Sequence, residues 1–75
     1  MQLEIQIVEV FKTNIIYKKD ANRILKLLSN KYPNLKINFD LDDCDKILRV
    51  EGINIKPEKI IELISTNGYQ CEVLT

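Results

Sequence analysis

Histidine is absent from these 75 residues, and cysteine, glycine and proline occur only twice each. Without histidine there is no imidazole base to activate a thiol or hydroxyl, so nucleophilic catalysis lacks its usual partner. Two cysteines are too few for a disulfide scaffold. With no signal peptide in view they imply free thiols in a reducing, cytoplasmic setting. Net charge is missing too: 11 basic and 11 acidic side chains cancel. This removes the general attraction on which nucleic-acid and membrane-surface binders rely. Nor does any apolar run approach the 18 residues that a membrane-spanning helix needs.

What is present is aliphatic. Apolar residues make up 45% of the chain, with no linker, repeat or low-complexity stretch, and they imply one globular domain over residues 1–75. At this length only about 60–65% of the unfolded surface is buried, so a compact two-layer fold is the limit.

The first segment, QLEIQIVEVF, alternates at period two and predicts a strand over residues 3–11. Its phase is ambiguous. Leu3, Ile5 and Ile7 share one face while Val8 and Val10 share the other, so either a bulge shifts the register or both faces are covered, as in a central strand. The period then changes. Tyr17, Ala21, Ile24, Leu25, Leu28 and Tyr32 form the stripe of an amphipathic helix that Pro33 and Asn34 stop. LKINFDL places Leu35, Ile37, Phe39 and Leu41 on one face, and KILRVEG returns as the second arm of a hairpin. A second helix follows, with Pro57 in its first turn, Ile60, Ile61 and Ile64 as its stripe, and Asn67-Gly68 as a left-handed stop. YQCEVL closes the chain as a strand.

The order β-α-β-β-α-β, with a right-handed crossover in each half, predicts an α+β ferredoxin-like sandwich. Two helices cover one face of a four-stranded antiparallel sheet of order 4-1-3-2. This topology gathers three loops at one end. They contribute Lys12, Thr13, Asn14, Lys18 and Lys19, then Asp42, Asp43, Cys44 and Asp45, then residues 67–71.

The length, the element order, the helix ending in NGY and the closing CEVL resemble the heavy-metal-associated domain of copper chaperones and metal-transporting ATPases. In that family a M-x-C-x-x-C loop between the first strand and first helix binds a soft metal through two thiolates. Here the loop reads FKTNIIYKKDAN. The two cysteine positions fall at Tyr17 and Asp20, or one residue earlier, and neither register holds sulfur. The resemblance therefore implies the scaffold without its metal grip.

Four readings compete, three of them at the loop end. Cys44 and Cys71 could ligate a metal, but the strand spacing separates them by on the order of 10–14 Å, beyond the roughly 7 Å between Cα atoms that a disulfide allows. Asp42, Asp43 and Asp45 carry oxygens suited to Mg²⁺ or Ca²⁺, yet lack the glycine and distant glutamate of a calcium loop, and aspartates also favour turns. Lys18 and Lys19 oppose the helix dipole, so a small anion at the helix start, with Thr13 and Asn14 beside it, would relieve the conflict. Finally Val8, Val10 or Phe11 could lie on the uncovered sheet face and invite a protein partner or a second copy. Enzymatic activity is not expected. An acylphosphatase-like anion loop would need an arginine, and Arg23 and Arg49 fall on a helix and a strand. The sequence thus favours a non-catalytic interaction module, with metal handling or anion binding as alternatives.

Overall fold

A computed structural model describes residues 5–74. The elements are β1 (Ile7–Thr13), α1 (Lys18–Lys31), β2 (Lys36–Asp40), β3 (Ile47–Gly52), α2 (Pro57–Thr66) and β4 (Cys71–Val73). The sheet order is β2-β3-β1-β4, with every neighbouring pair antiparallel. This is the expected 4-1-3-2 sandwich read from the other edge, and β1 is central as its two apolar faces implied.

The register of β1 resolves its ambiguous phase. Phe11 pairs with Leu48 and Val73, and Glu9 with Val50, so Phe11 and Thr13 point toward the helices. Phe11 is fully buried. The expectation that Phe11 could lie on the open face is corrected, while Val8 and Val10 do face outward. The strand also starts later than the alternation predicts: Leu3 lies outside the described residues, Ile5 and Gln6 are not in the strand, and pairing extends to Thr13. Pairing decides this. The last β3 partner of β1 among the described residues is Gly52, opposite Ile7.

The core lies between sheet and helices. Ala21, Ile24 and Leu28 of α1, and Ile60 and Ile64 of α2, pack on Phe11, Ile37, Leu48 and Val50. Helix α1 ends where Pro33 forbids continuation, and α2 ends in a Schellman arrangement. Gly68 adopts φ +92°, Tyr69 N–H donates to the Ile64 carbonyl at 3.2 Å, and Gly68 N–H to that of Ser65 at 3.0 Å. That satisfies two helix-end carbonyls and needs a residue without Cβ at the turn. Among the described residues, no helix is long and apolar enough to cross a membrane.

One member of the expected α1 stripe departs from it. Tyr17 is the helix N-cap, in an extended conformation and 65% exposed. Ile15, fully buried, takes the place it was expected to fill. The strand alternation continues past β1 through Thr13 to Ile15, so the helical period begins only at Lys18.

The face without helices is not an apolar surface. Lys36 lies opposite Glu51, Lys12 opposite Glu72 and Asn38 opposite Arg49. Cross-strand pairs of opposite charge stabilise a solvated sheet face. Among them Val8 is 48% exposed and Val10 half-buried, and Ile47 is buried but outside the main core cluster.

Candidate functional site

The loops do converge at one end, and the structure shows what each side chain there is already doing. Thr13 is 7% exposed. Its hydroxyl donates to the Lys46 carbonyl at 2.7 Å and accepts from the Ile15 N–H at 3.2 Å. Asn14 is committed as well: its Oδ1 accepts from the Gln70 N–H at 2.8 Å while its own N–H donates to the Gln70 carbonyl at 3.3 Å. These two residues, expected at the binding rim, tie the first loop to the hairpin and to the approach to β4.

Lys18 and Lys19 are exposed. The negative charge that the start of α1 calls for comes from Asp20 in the first turn, where a carboxylate offsets part of the lysines' unfavourable interaction with the dipole. Lys12 approaches Asp45 at 4.0 Å, a partly exposed pair of small energetic value.

The acidic hairpin is an internally bonded turn. The Asp43 carboxylate accepts the Asp45 N–H at 2.8 Å, Lys46 N–H donates to the Asp43 carbonyl at 3.0 Å, and the Lys46 ammonium donates to the Leu41 carbonyl at 2.9 Å. Aspartate favours turns through such bonds to its own backbone two residues on. Lys46 itself has φ +50°, and the bonds around it hold that left-handed conformation. Asp43, Cys44 and Asp45 place one donor atom each within 4.8 Å of one another. Asp42 lines a separate groove with Lys18, between β2 and α1. No buried side-chain polar atom among the described residues lacks a partner, so no orphaned donor points into a waiting cavity.

The two thiols are separate and unlike. Cys44 is exposed at the hairpin tip; Cys71 is partly buried and packs against the core opposite Thr13. Burial, and then the Glu72 carboxylate, push the Cys71 thiol up from 9.0 to about 12. Both act by disfavouring the thiolate. At pH 8, iodoacetamide is expected to alkylate Cys44 readily and leave Cys71 unmodified until the chain unfolds. Intact-mass time courses on Cys44→Ser and Cys71→Ser check this. The raised value also has a sign in stability. The folded state favours the protonated thiol, so the advantage is complete below pH 9 and fades as pH rises through about 12. Wild type should therefore lose stability relative to Cys71→Ala over that interval.

The NGY segment has a structural job. From α1, Arg23 donates through Nη2 to the Tyr69 hydroxyl at 3.0 Å and through Nη1 to Asn67 Oδ1 at 3.4 Å, with its guanidinium 5.7 Å from the Tyr69 ring centroid. This clasp joins the first helix to the end of the second.

No protein-family model, no curated protein and no solved structure matches this chain. One apolar pair at this end, not legible as a site in the sequence, stays exposed. In the β1–α1 loop Ile16 is 62% exposed beside Tyr17, with Lys18 and Lys19 following. The signal for it lay in the strand alternation. Thr13 and Ile15 continue inward, so Ile16 must point out.

Proposed function

We propose that this chain is a non-catalytic protein-interaction module on a scaffold resembling the heavy-metal-associated domain, with its contact tip in the β1–α1 loop. The observation that carries the reading is the exposed Ile16–Tyr17 pair, in the loop where that family places its soft-metal thiolates. Aliphatic and aromatic side chains held out at a loop tip are costly in water and are the groups that anchor interfaces. Lys18 and Lys19 beside them suit a partner whose apolar pocket carries an acidic rim, since complementary charge steers association.

Two further observations support interaction over chemistry. Thr13 and Asn14 spend their hydrogen bonds inside the protein, which leaves only Lys18 and Lys19 of the anion-binding rim, and Asp43 bonds the backbone of its own hairpin. The Cys71 thiol, held protonated, is a poor soft-metal ligand at neutral pH.

A photoreactive amino acid at position 17, in the cell of origin, tests the proposal. A discrete cross-linked protein is expected, absent when the photoreactive group stands at position 26 and lost with Ile16→Ser. Equal adducts from both positions would refute it. The metal alternative has its own measurement. Cu(I) or Zn²⁺ titrated under reducing conditions against a colorimetric chelator should stay with the chelator. A stoichiometric complex that disappears in Cys44→Ser or Cys71→Ser would restore metal handling.

A further inference from the structure

Strand β2 (Lys36–Asp40) lies at the edge of the sheet. Which of its backbone groups are free follows from the ladder. Leu74 N–H donates to Val10 C=O at 2.8 Å and Asn14 N–H to Gln70 C=O at 3.3 Å, so even-numbered residues of β1 turn their backbone groups toward β4. Odd-numbered ones turn toward β3, as the Thr13 N–H does in donating to the Asp45 and Lys46 carbonyls at 3.2 Å. Carried across the register by antiparallel alternation, Leu48 and Val50 bond to β1, whereas Ile47, Arg49 and Glu51 bond to Asp40, Asn38 and Lys36. Ile37 and Phe39 are left with N–H and C=O pointing outward.

The residues around that free edge are self-complementary. Leu35-Lys36-Ile37-Asn38-Phe39-Asp40-Leu41, laid antiparallel against itself with Asn38 at the centre, sets Lys36 against Asp40, Ile37 against Phe39, and Leu35 against Leu41. The parity agrees. In this register Ile37 and Phe39 fall at hydrogen-bonded positions, and the two Lys36–Asp40 pairs fall at non-hydrogen-bonded positions, where Cα atoms lie about 4.5 Å apart and side chains come closest. A shift centring on Ile37 leaves Lys36 facing Asn38 and Asp40 facing Asn34. One centring on Phe39 sets Asp40 against Asn38 and draws Asp42 from the turn. On the helix side a groove of about 360 Å³ between β2 and α1, floored by Ala21, Leu25, Phe39 and Leu41, leaves room above the edge.

We infer that two copies of this chain associate edge to edge through β2, in a twofold antiparallel register centred on Asn38, giving a continuous eight-stranded sheet. Charged residues on an edge strand ordinarily repel an incoming strand. Here the same charges deter foreign strands and match the chain's own copy, so the edge selects its partner. Pairing one five-residue strand buries less than a stable dimer requires, so the equilibrium is weak, with a dissociation constant on the order of 100 µM. The association uses neither Ile16 nor Tyr17, so its failure leaves the function proposed above intact.

Charge exchange tests it. Lys36→Asp alone, or Asp40→Lys alone, places two like-charge pairs across the twofold axis and is expected to raise the dissociation constant about tenfold. Both variants should still fold, since the positions are exposed and Lys36→Asp loses within the chain only the solvated pair with Glu51; circular dichroism verifies it. The double variant Lys36→Asp/Asp40→Lys restores dimerisation, and an equimolar mixture of the two single variants forms a heterodimer, because each then supplies what the other lacks. Sedimentation equilibrium reads all four. Amide exchange in the wild type should slow with concentration at Ile37 and Phe39. A wild type monomeric at about 1 mM, single variants that dimerise unchanged, a mixture that stays monomeric, or protection appearing at Val8 instead would each overturn the inference.

Discussion

Phe11→Ala is expected to cost about 3–5 kcal/mol of folding stability, the range for deleting a fully buried aromatic ring. A domain of this length commands only about 4–11 kcal/mol in total, so the variant should stand at the margin of folding at 25 °C. The loss is large because Phe11 sits where strand and helices meet. It is paired with Leu48 on one side and Val73 on the other, and is roofed by the residues that α1 and α2 bury. Nothing at the centre of the sheet can slide in to fill the ring's volume, so the cavity penalty adds to the lost transfer energy. Val8→Ala, on the opposite face of the same strand and half exposed, should cost well under about 1 kcal/mol. Urea melts of the two variants give the comparison, with a lowered midpoint and an unchanged slope for Phe11→Ala. Equal costs at positions 8 and 11 would mean that the register of β1 is not the one described.

The architecture could be read from the letters because period changes mark its elements. Alternation in LKINFDL gives way to the four-residue spacing of Ile60 and Ile64, and Pro33, Pro57 and Gly68 stand at the boundaries. Handedness then leaves one way to interlock the halves. The face of β1 could not be read, because valines and isoleucines occupy both parities. Only the side on which the helices pack separates Phe11 from Val10. The extent of β1 was hidden for a related reason, since strands end where their partners end. Tyr17 fitted a helical stripe by spacing and yet lies outside it, because an N-cap has extended geometry and turns its side chain away from the helix's buried face.

The loop end was harder still. Thr13, Asn14, Asp43 and Lys18 are polar letters of equal weight in a sequence, and what separates them is where each spends its hydrogen bonds. Three are occupied internally and one is not. The mirror pattern around Asn38 was present in the letters too, but carries meaning only once β2 is known to be an edge strand whose free backbone groups belong to Ile37 and Phe39.

Thr13→Val is expected to cost about 2–3 kcal/mol, although valine has almost the same shape and is more apolar. The hydroxyl serves two groups. It accepts from the N–H of fully buried Ile15, and it donates to the carbonyl of Lys46 at the left-handed position that closes the hairpin. Valine leaves the Ile15 N–H buried without the acceptor it has here, and an unmet buried donor costs more than a made hydrogen bond contributes. The Lys46 carbonyl fares better, since it keeps the Thr13 N–H at 3.2 Å, and this holds the estimate below the sum for two orphaned groups. Thr13→Ser keeps the hydroxyl and should lose about 1 kcal/mol for the missing methyl. Denaturant melts should therefore rank wild type above Ser and Ser above Val, with faster amide exchange at Ile15 in the valine variant. If Thr13 were instead a ligand group of an anion-binding rim, the valine variant would melt like wild type and differ only in phosphate-induced shifts at Asn14 and Lys18. The two roles move different observables, and the bond lengths at Thr13 favour the pin.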